Sequence, residues 1–312
     1  MIISASRRTD IPNYYAEWFL NRLREGFVCV RNPMNIHQIS RIELSPEVVD
    51  CIVFWTKNPA GMMKHLDELE LYPYYFQFTL TGYGTDIEKN IPDKQSVMIP
   101  RFQDLARVIG KHRVIWRYDP ILFNQKYTMA YHTKAFAEIA KSLTGYTEKC
   151  VISFVDLYRK NKADFDAAGV SATSPTDLTA FAGELCNIAN QCGMRMASCA
   201  EAIDLGSVGI EHNSCIDKGL IEQLTGGKLA VKKDRNQRAE CGCVESMEVG
   251  SYNTCANGCS YCYATFNASS VRDNAAKYDP TSPILCDCIG PEDKVTDRKV
   301  KSLLDRQLSF FF

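Results

Sequence analysis

The sequence predicts an α/β fold: a (β/α) barrel or partial TIM-like barrel with a C-terminal cysteine-rich extension. Three observations point there. Short apolar runs alternate with amphipathic helical stretches, the pattern of a parallel sheet. Polar residues follow successive apolar runs, where a parallel barrel gathers its chemistry. After about residue 235 the chain turns irregular and rich in cysteine. This divides it into a barrel-like domain, 1–235, and an extension, 236–312, packed on the barrel.

Ile2-Ile3-Ser4-Ala5 reads as a buried first strand. Asp10 followed by Pro12 signals a helix start, and 14–24 form a helix with Trp18, Phe19 and Leu23 on one face. Gly26 stops it, and 27–30 make a second strand. Residues 31–46 read as irregular, with Asn32-Pro33 marking a turn. Cys51-Ile52-Val53-Phe54-Trp55 is a third strand, after which Asn58 caps and Pro59 opens a helix. A fourth strand, 75–80, ends at Thr81-Gly82-Tyr83-Gly84. Helix 96–109, strand 112–116, helix 129–143 and strand 150–155 follow. Thr176 caps a helix over 176–191, with Gly193 past its end. Residues 194–198 form a seventh strand, and Leu229-Ala230-Val231 is the best candidate for an eighth. Phe310-Phe311-Phe312 is expected to dock in a groove, because an exposed apolar tail invites association.

With 312 residues and 46% hydrophobic composition, the chain can bury a sizeable core. A net charge of −1 gives no global field to recruit nucleic acid or an anionic membrane. The N-terminus lacks the pattern of a secretory signal. No run approaches ~20 apolar residues, so no membrane span is expected. Fourteen cysteines then point to a reducing, cytoplasmic setting, where grouped thiols mean metal or redox chemistry.

The most informative stretch is Thr254-Cys255-Ala256-Asn257-Gly258-Cys259-Ser260-Tyr261-Cys262-Tyr263-Ala264. Its three thiols stand at C-x3-C-x2-C spacing. A loop this short can wrap one iron–sulfur cubane, bind three of its irons and leave the fourth open. A zinc knuckle and a structural cluster with a remote fourth ligand are the alternatives. Zinc sites usually pair two separate short steps, whereas these two abut and share Cys259.

Polar residues past the strands form a candidate rim: Arg7, Arg8 and Asp10; Lys57 and Asn58; Arg117 and Asp119; Asp156; and Glu201. The cations suit an anionic ligand group such as carboxylate or phosphate. Mutual pairing across the barrel mouth is the bland alternative for any one of them. Cys29, Cys51, Cys150, Cys186 and Cys192 read as small buried hydrophobes. Cys199, Cys215, Cys241 and Cys243 are candidates for a complete second cluster. A rival grouping takes Cys241, Cys243, Cys286 and Cys288 as a zinc site. The five histidines lack metal-like spacing.

The three-cysteine stretch, Tyr261 included, resembles the cluster motif of the radical S-adenosylmethionine (SAM) superfamily, and locally that of spore photoproduct lyase. The chain as a whole resembles the prokaryotic family called domain of unknown function 1848. Ile3-Ser4-Ala5-Ser6-Arg7-Arg8-Thr9-Asp10-Ile11-Pro12, Thr56-Lys57-Asn58-Pro59, Arg117-Tyr118-Asp119-Pro120, Cys199-Ala200-Glu201, Cys241-Gly242-Cys243 and the terminal stretch carry that resemblance.

The superfamily resemblance implies a [4Fe-4S] cluster on Cys255, Cys259 and Cys262 whose open iron is chelated by SAM. It implies reductive cleavage of SAM to methionine and a 5′-deoxyadenosyl radical. Arg7, Asp10, Lys57, Arg117 and Asp119 would then be catalytic. Arg8, Asn58, Asp156 and Glu201 would hold the cofactor. A small polar substrate and a reductase or flavodoxin- or ferredoxin-type donor would complete the system. The superfamily places its cysteines after the first strand, whereas here they follow nearly the whole alternation. Either the loop reaches the strand ends from the extension, or it serves something other than SAM. A non-SAM iron–sulfur electron-transfer or binding protein is the second reading. A zinc-stapled α/β hydrolase or lyase is the third.

Overall fold

The computed structural model describes residues 1–155, 169–171 and 173–305. The strands are β1 (Ile2–Ala5), β2 (Phe27–Asn32), β3 (Asn35–Glu43), β4 (Cys51–Thr56), β5 (Tyr74–Thr79), β6 (Val114–Ile121), β7 (Lys149–Phe154), β8 (Arg195–Ser198), β9 (Glu211–His212), β10 (Met247–Glu248) and β11 (Lys294–Asp297). The helices are α1 (Ile11–Tyr14), α2 (Ala16–Glu25), α3 (Ile99–Ile109), α4 (Met129–Ser142), α5 (Pro175–Gln191), α6 (Lys218–Thr225) and α7 (Ala268–Ala275). Eight strands form one sheet in the order β10-β1-β4-β5-β6-β7-β8-β9. Every pairing in it is parallel.

Side chains alternate along these strands, so the sheet has two differently dressed faces. One face carries Ile3, Ile52, Phe54, Phe76, Phe78, Trp116, Ile152 and Met196. Helices cover it with Phe19 of α2, Phe102 and Leu105 of α3, Phe136 of α4, and Phe181 and Leu185 of α5. The opposite face carries Ile2, Val53, Tyr75, Ile115 and Val151, packed against Cys215, Ile216, Ile221, Cys241, Cys243 and Val244. Strands apolar on both faces read as continuous apolar runs, which is why the sequence reveals them.

Several expected elements differ. The region 31–46 contains strand β3, which pairs antiparallel with β2 in a separate sheet completed by β11. Most of β3 is exposed, with Ile39 and Ile42 buried, so no clean alternation marks it. The helix of 14–24 is two helices, broken at Tyr15. After Asn58 stands a 3-10 turn, Met62–Leu69. Ser174, not Thr176, caps α5, and Pro175 opens it. β6 runs on to Ile121, so Arg117 and Asp119 lie within a strand rather than beyond it.

Leu229-Ala230-Val231 is not the eighth strand. Leu229 forms an isolated bridge with Leu304, and the sheet edges are the two-residue strands β9 and β10. Among the described residues, no helix is long and apolar enough to cross a membrane. Asp156 and Phe310-Phe311-Phe312 lie outside the described residues.

Candidate metal centre

The cysteine-rich segment is stitched to the sheet through β10. Glu248 accepts Ser4 Oγ at 2.7 Å and the Arg7 N–H at 3.0 Å. A Cβ on Gly250 would stand 2.0 Å from Ser6 Oγ, so only glycine allows this approach to the end of β1. The loop of Cys255, Cys259 and Cys262 therefore sits where β1, β4 and β5 end.

Asn257 is the hub of that seat. Its Nδ2 donates to Asp10 at 3.0 Å, and its Oδ1 accepts Tyr14 Oη at 3.0 Å and Asn13 Nδ2 at 3.3 Å. Asp10 also accepts the Lys57 N–H at 2.8 Å and caps α1 through the Asn13 N–H at 3.2 Å. One buried carboxylate thus joins the ends of β1 and β4 to the loop; burial pushes it up, opposed by these hydrogen bonds. From the β5 side, Asn90 Nδ2 donates to the Ala256 carbonyl at 2.7 Å and Asn90 N to that of Asn257 at 3.1 Å. Ser260 N donates to the Ile87 carbonyl at 3.0 Å. Tyr15 Oη donates to the Thr254 carbonyl at 2.5 Å, and Tyr263 Oη to that of Arg7 at 2.8 Å.

Glu88, which the sequence reading missed, completes the seat. It is buried and accepts Lys57 Nζ at 2.6 Å, Thr81 Oγ1 at 2.8 Å, Lys94 Nζ and Tyr261 Oη. Burial raises its pKa, but Lys57 and Lys94 outweigh that and hold it at about 2. Lys57 Nζ also stands 5.2 Å from the centre of the Tyr261 ring. The only sequence signal for Glu88 was its place seven residues beyond Thr81, in a loop without periodicity.

Burial raises the pKa values of Cys255 and Cys259, and neighbouring thiolate charge adds to both. The charges of Cys259 and Cys262 both reach Cys255. Among the described residues, no group of three or more His, Cys, Asp or Glu side chains is placed to hold a single metal ion. A cubane spreads its thiolates over separate irons and does not demand that convergence. The donor set fits: three neighbouring thiols on one short braced loop, with Lys57 cationic beside Cys259.

The other candidates fall into three groups. Arg7 lies over Trp55, 5.1 Å from the ring centre, and Arg8 over Tyr252 at 4.7 Å. Arg8, Tyr252, Thr254 and Cys286 line a cavity of about 300 Å³ beside the loop. Arg117 donates through Nε to Asp119 at 3.0 Å and through Nη1 to Cys215 Sγ at 2.8 Å; Ser153 Oγ also donates to Asp119. Asn58 and Glu201 serve the scaffold. Asn58 Oδ1 accepts Arg101 Nη1 at 2.8 Å and its Nδ2 donates to Asn13 at 3.0 Å, while Glu201 accepts the Phe154 N–H at 2.7 Å.

Cys199, Cys215, Cys241 and Cys243 lie together, with Cys199 Sγ 3.4 Å from Cys215 Sγ. Cys286 belongs to the helix-covered core, contacting Tyr15, and is separated from Cys241 and Cys243; Cys288 is exposed.

Fold and site together define a parallel α/β protein with a braced cysteine loop over its strand ends. The chain belongs to the family described as domain of unknown function (DUF1848), whose model matches residues 2–264. That span includes both cysteine groups and leaves out Cys286 and Cys288. Comparison with curated proteins finds no match.

Proposed function

We propose that this chain is an iron–sulfur enzyme of radical SAM type acting on a small polar substrate. Cys255, Cys259 and Cys262 would hold a [4Fe-4S] cluster and leave one iron for SAM. One observation carries the reading: a cysteine loop late in the chain is seated at the ends of β1, β4 and β5 by Asp10, Asn90, Glu88 and Asn257. When bound and reduced, the cluster would supply the electron that cleaves the sulfonium of SAM.

The chain's own residues position and shield. Lys57 and Lys94 offset the negative charge of thiolates while Glu88 keeps both lysines fixed. Arg7 and Arg8 offer cationic, ring-stacked groups to an anionic substrate or cofactor carboxylate. Arg117 and Asp119 are held as a pair on the sheet face. We read the open eight-stranded sheet as a partial barrel over 1–235, with 236–312 closing its mouth. The electron would come from a flavodoxin- or ferredoxin-type reductase.

Anaerobically reconstituted, reduced protein given SAM should release 5′-deoxyadenosine and methionine. Turnover no greater than that of Cys259→Ser would overturn the reading. One observation favours a non-SAM electron carrier instead. The carboxylates of Asp10, Glu88 and Asp119 are already engaged, leaving none of the three to receive an amine. In that case a cluster signal would appear that SAM does not alter. Zinc without iron would favour the stapled hydrolase or lyase.

A further inference from the structure

The face of the sheet away from the covering helices holds a second set of thiols, unused by the proposed SAM chemistry. Cys199 follows β8, Cys215 follows β9, and Cys241 and Cys243 precede β10. The thiols lie in one cluster. Cys199 Sγ and Cys215 Sγ are 3.4 Å apart, and Cys215, Cys241 and Cys243 share one buried cluster against which Cys199 packs. Cys215, Cys241 and Cys243 are buried, and Cys199 is half-buried.

The surroundings are built for sulfur that carries charge. Arg117 Nη1 donates to Cys215 Sγ at 2.8 Å and Asn213 Nδ2 at 3.3 Å, while Ile216 N donates to Cys243 Sγ at 3.3 Å. Such N–H donors orient and tune metal-bound thiolates. A Cβ on Gly242 would meet Ser214 Oγ at 2.5 Å and the Asn213 carbonyl at 2.9 Å. The Cys-Gly-Cys turn therefore presses on residues 213–214 in a way only glycine permits.

Charge gives the second, independent argument. The Arg7 guanidinium has no carboxylate oxygen within 4.0 Å among the described residues, and its Nη2 is buried without a hydrogen-bond partner. Asn213 Oδ1 is likewise unpartnered. A buried guanidinium nitrogen without an acceptor is costly to leave so. Thiolates on a metal would carry negative charge for Arg7 to face, beside the Arg117 N–H that already donates to Cys215.

We propose that Cys199, Cys215, Cys241 and Cys243 form a tetrathiolate site for a soft metal centre, separate from the Cys255 loop. Zinc and a complete [4Fe-4S] cluster share this ligand chemistry. Zinc at about 2.3 Å from each sulfur sets neighbouring sulfurs roughly 3.8 Å apart, a spacing close to that of Cys199 and Cys215.

The test is the metal and sulfide content of full-length, anaerobically purified protein carrying Cys255→Ser, Cys259→Ser and Cys262→Ser. The site predicts one retained centre per chain: about four iron and four sulfide, or one zinc. Adding Cys215→Ser and Cys243→Ser should remove it. X-ray absorption on the triple variant needs no further substitution and should show an all-sulfur first shell. A triple variant without stoichiometric metal, metal surviving loss of Cys215 and Cys243, or an oxygen- and nitrogen-dominated shell would each overturn the proposal. Failure of the proposed function looks different: without a cluster on the Cys255 loop the triple variant would hold as much metal as wild type, and without SAM chemistry the wild type would release no 5′-deoxyadenosine.

Discussion

At the scale of single residues, Glu88 bears more than any side chain expected from the sequence. Its buried carboxylate satisfies two half-buried lysines and the motif tyrosine at once. Glu88→Ala would leave Lys57 and Lys94 half-buried without that counter-charge, and should cost about 3 kcal/mol in urea unfolding. It should also loosen the cysteine loop, read as less iron retained after reconstitution.

His132 sets the acid response. It is buried, its Nε2 donates to the Leu122 carbonyl at 2.9 Å, and Nδ1 accepts Tyr118 Oη at 2.8 Å. Burial lowers its pKa to about 4 from the ordinary 6.5, with the Leu122 bond opposing. Between those values the unfolded chain binds a proton that the folded chain refuses. Stability should therefore fall as pH drops from 6.5 to 4, by up to roughly 3 kcal/mol. Glu88 continues the loss as pH falls from 4.5 toward 2, because its folded pKa is depressed. Urea midpoints measured across pH should show both steps, and His132→Gln should flatten the first.

At the scale of elements, apolar strands were legible because both sheet faces are buried, so β4 appears as an unbroken apolar run from Cys51 to Trp55 and β5 as a run interrupted by Gln77. β3 was not legible, because its outer half is solvent-exposed and its partners are β2 and the distant β11. The strand ends were legible as a set of polar residues, yet their division of labour was not. Asp10 and Asn58 are held by hydrogen bonds to neighbouring segments, and the loop partners Asn90 and Glu88 lie in a segment without pattern. Contacts made across more than 160 residues leave no periodic trace. The joint between β1 and the extension is where a single atom decides. Gly250→Ala should destabilise the chain by about 1–3 kcal/mol, because Ser6 cannot retreat without breaking its bonds to Arg8 and Thr9. Thermal unfolding with and without reconstituted iron would measure it.

At the scale of the whole molecule, the parallel sheet supplies one edge of strand termini, and the C-terminal segment returns to lay its thiols there. The order of cysteines along the chain is thus less informative than where the loop lands. This reconciles a late motif with chemistry at the strand ends. The most direct test is electron paramagnetic resonance of the reduced, anaerobic full-length protein, with and without SAM, beside Cys259→Ser. A cluster on the Cys255 loop would give a signal whose g values shift on adding SAM and which disappears in Cys259→Ser. A spectrum in which no cluster signal responds to SAM would contradict it.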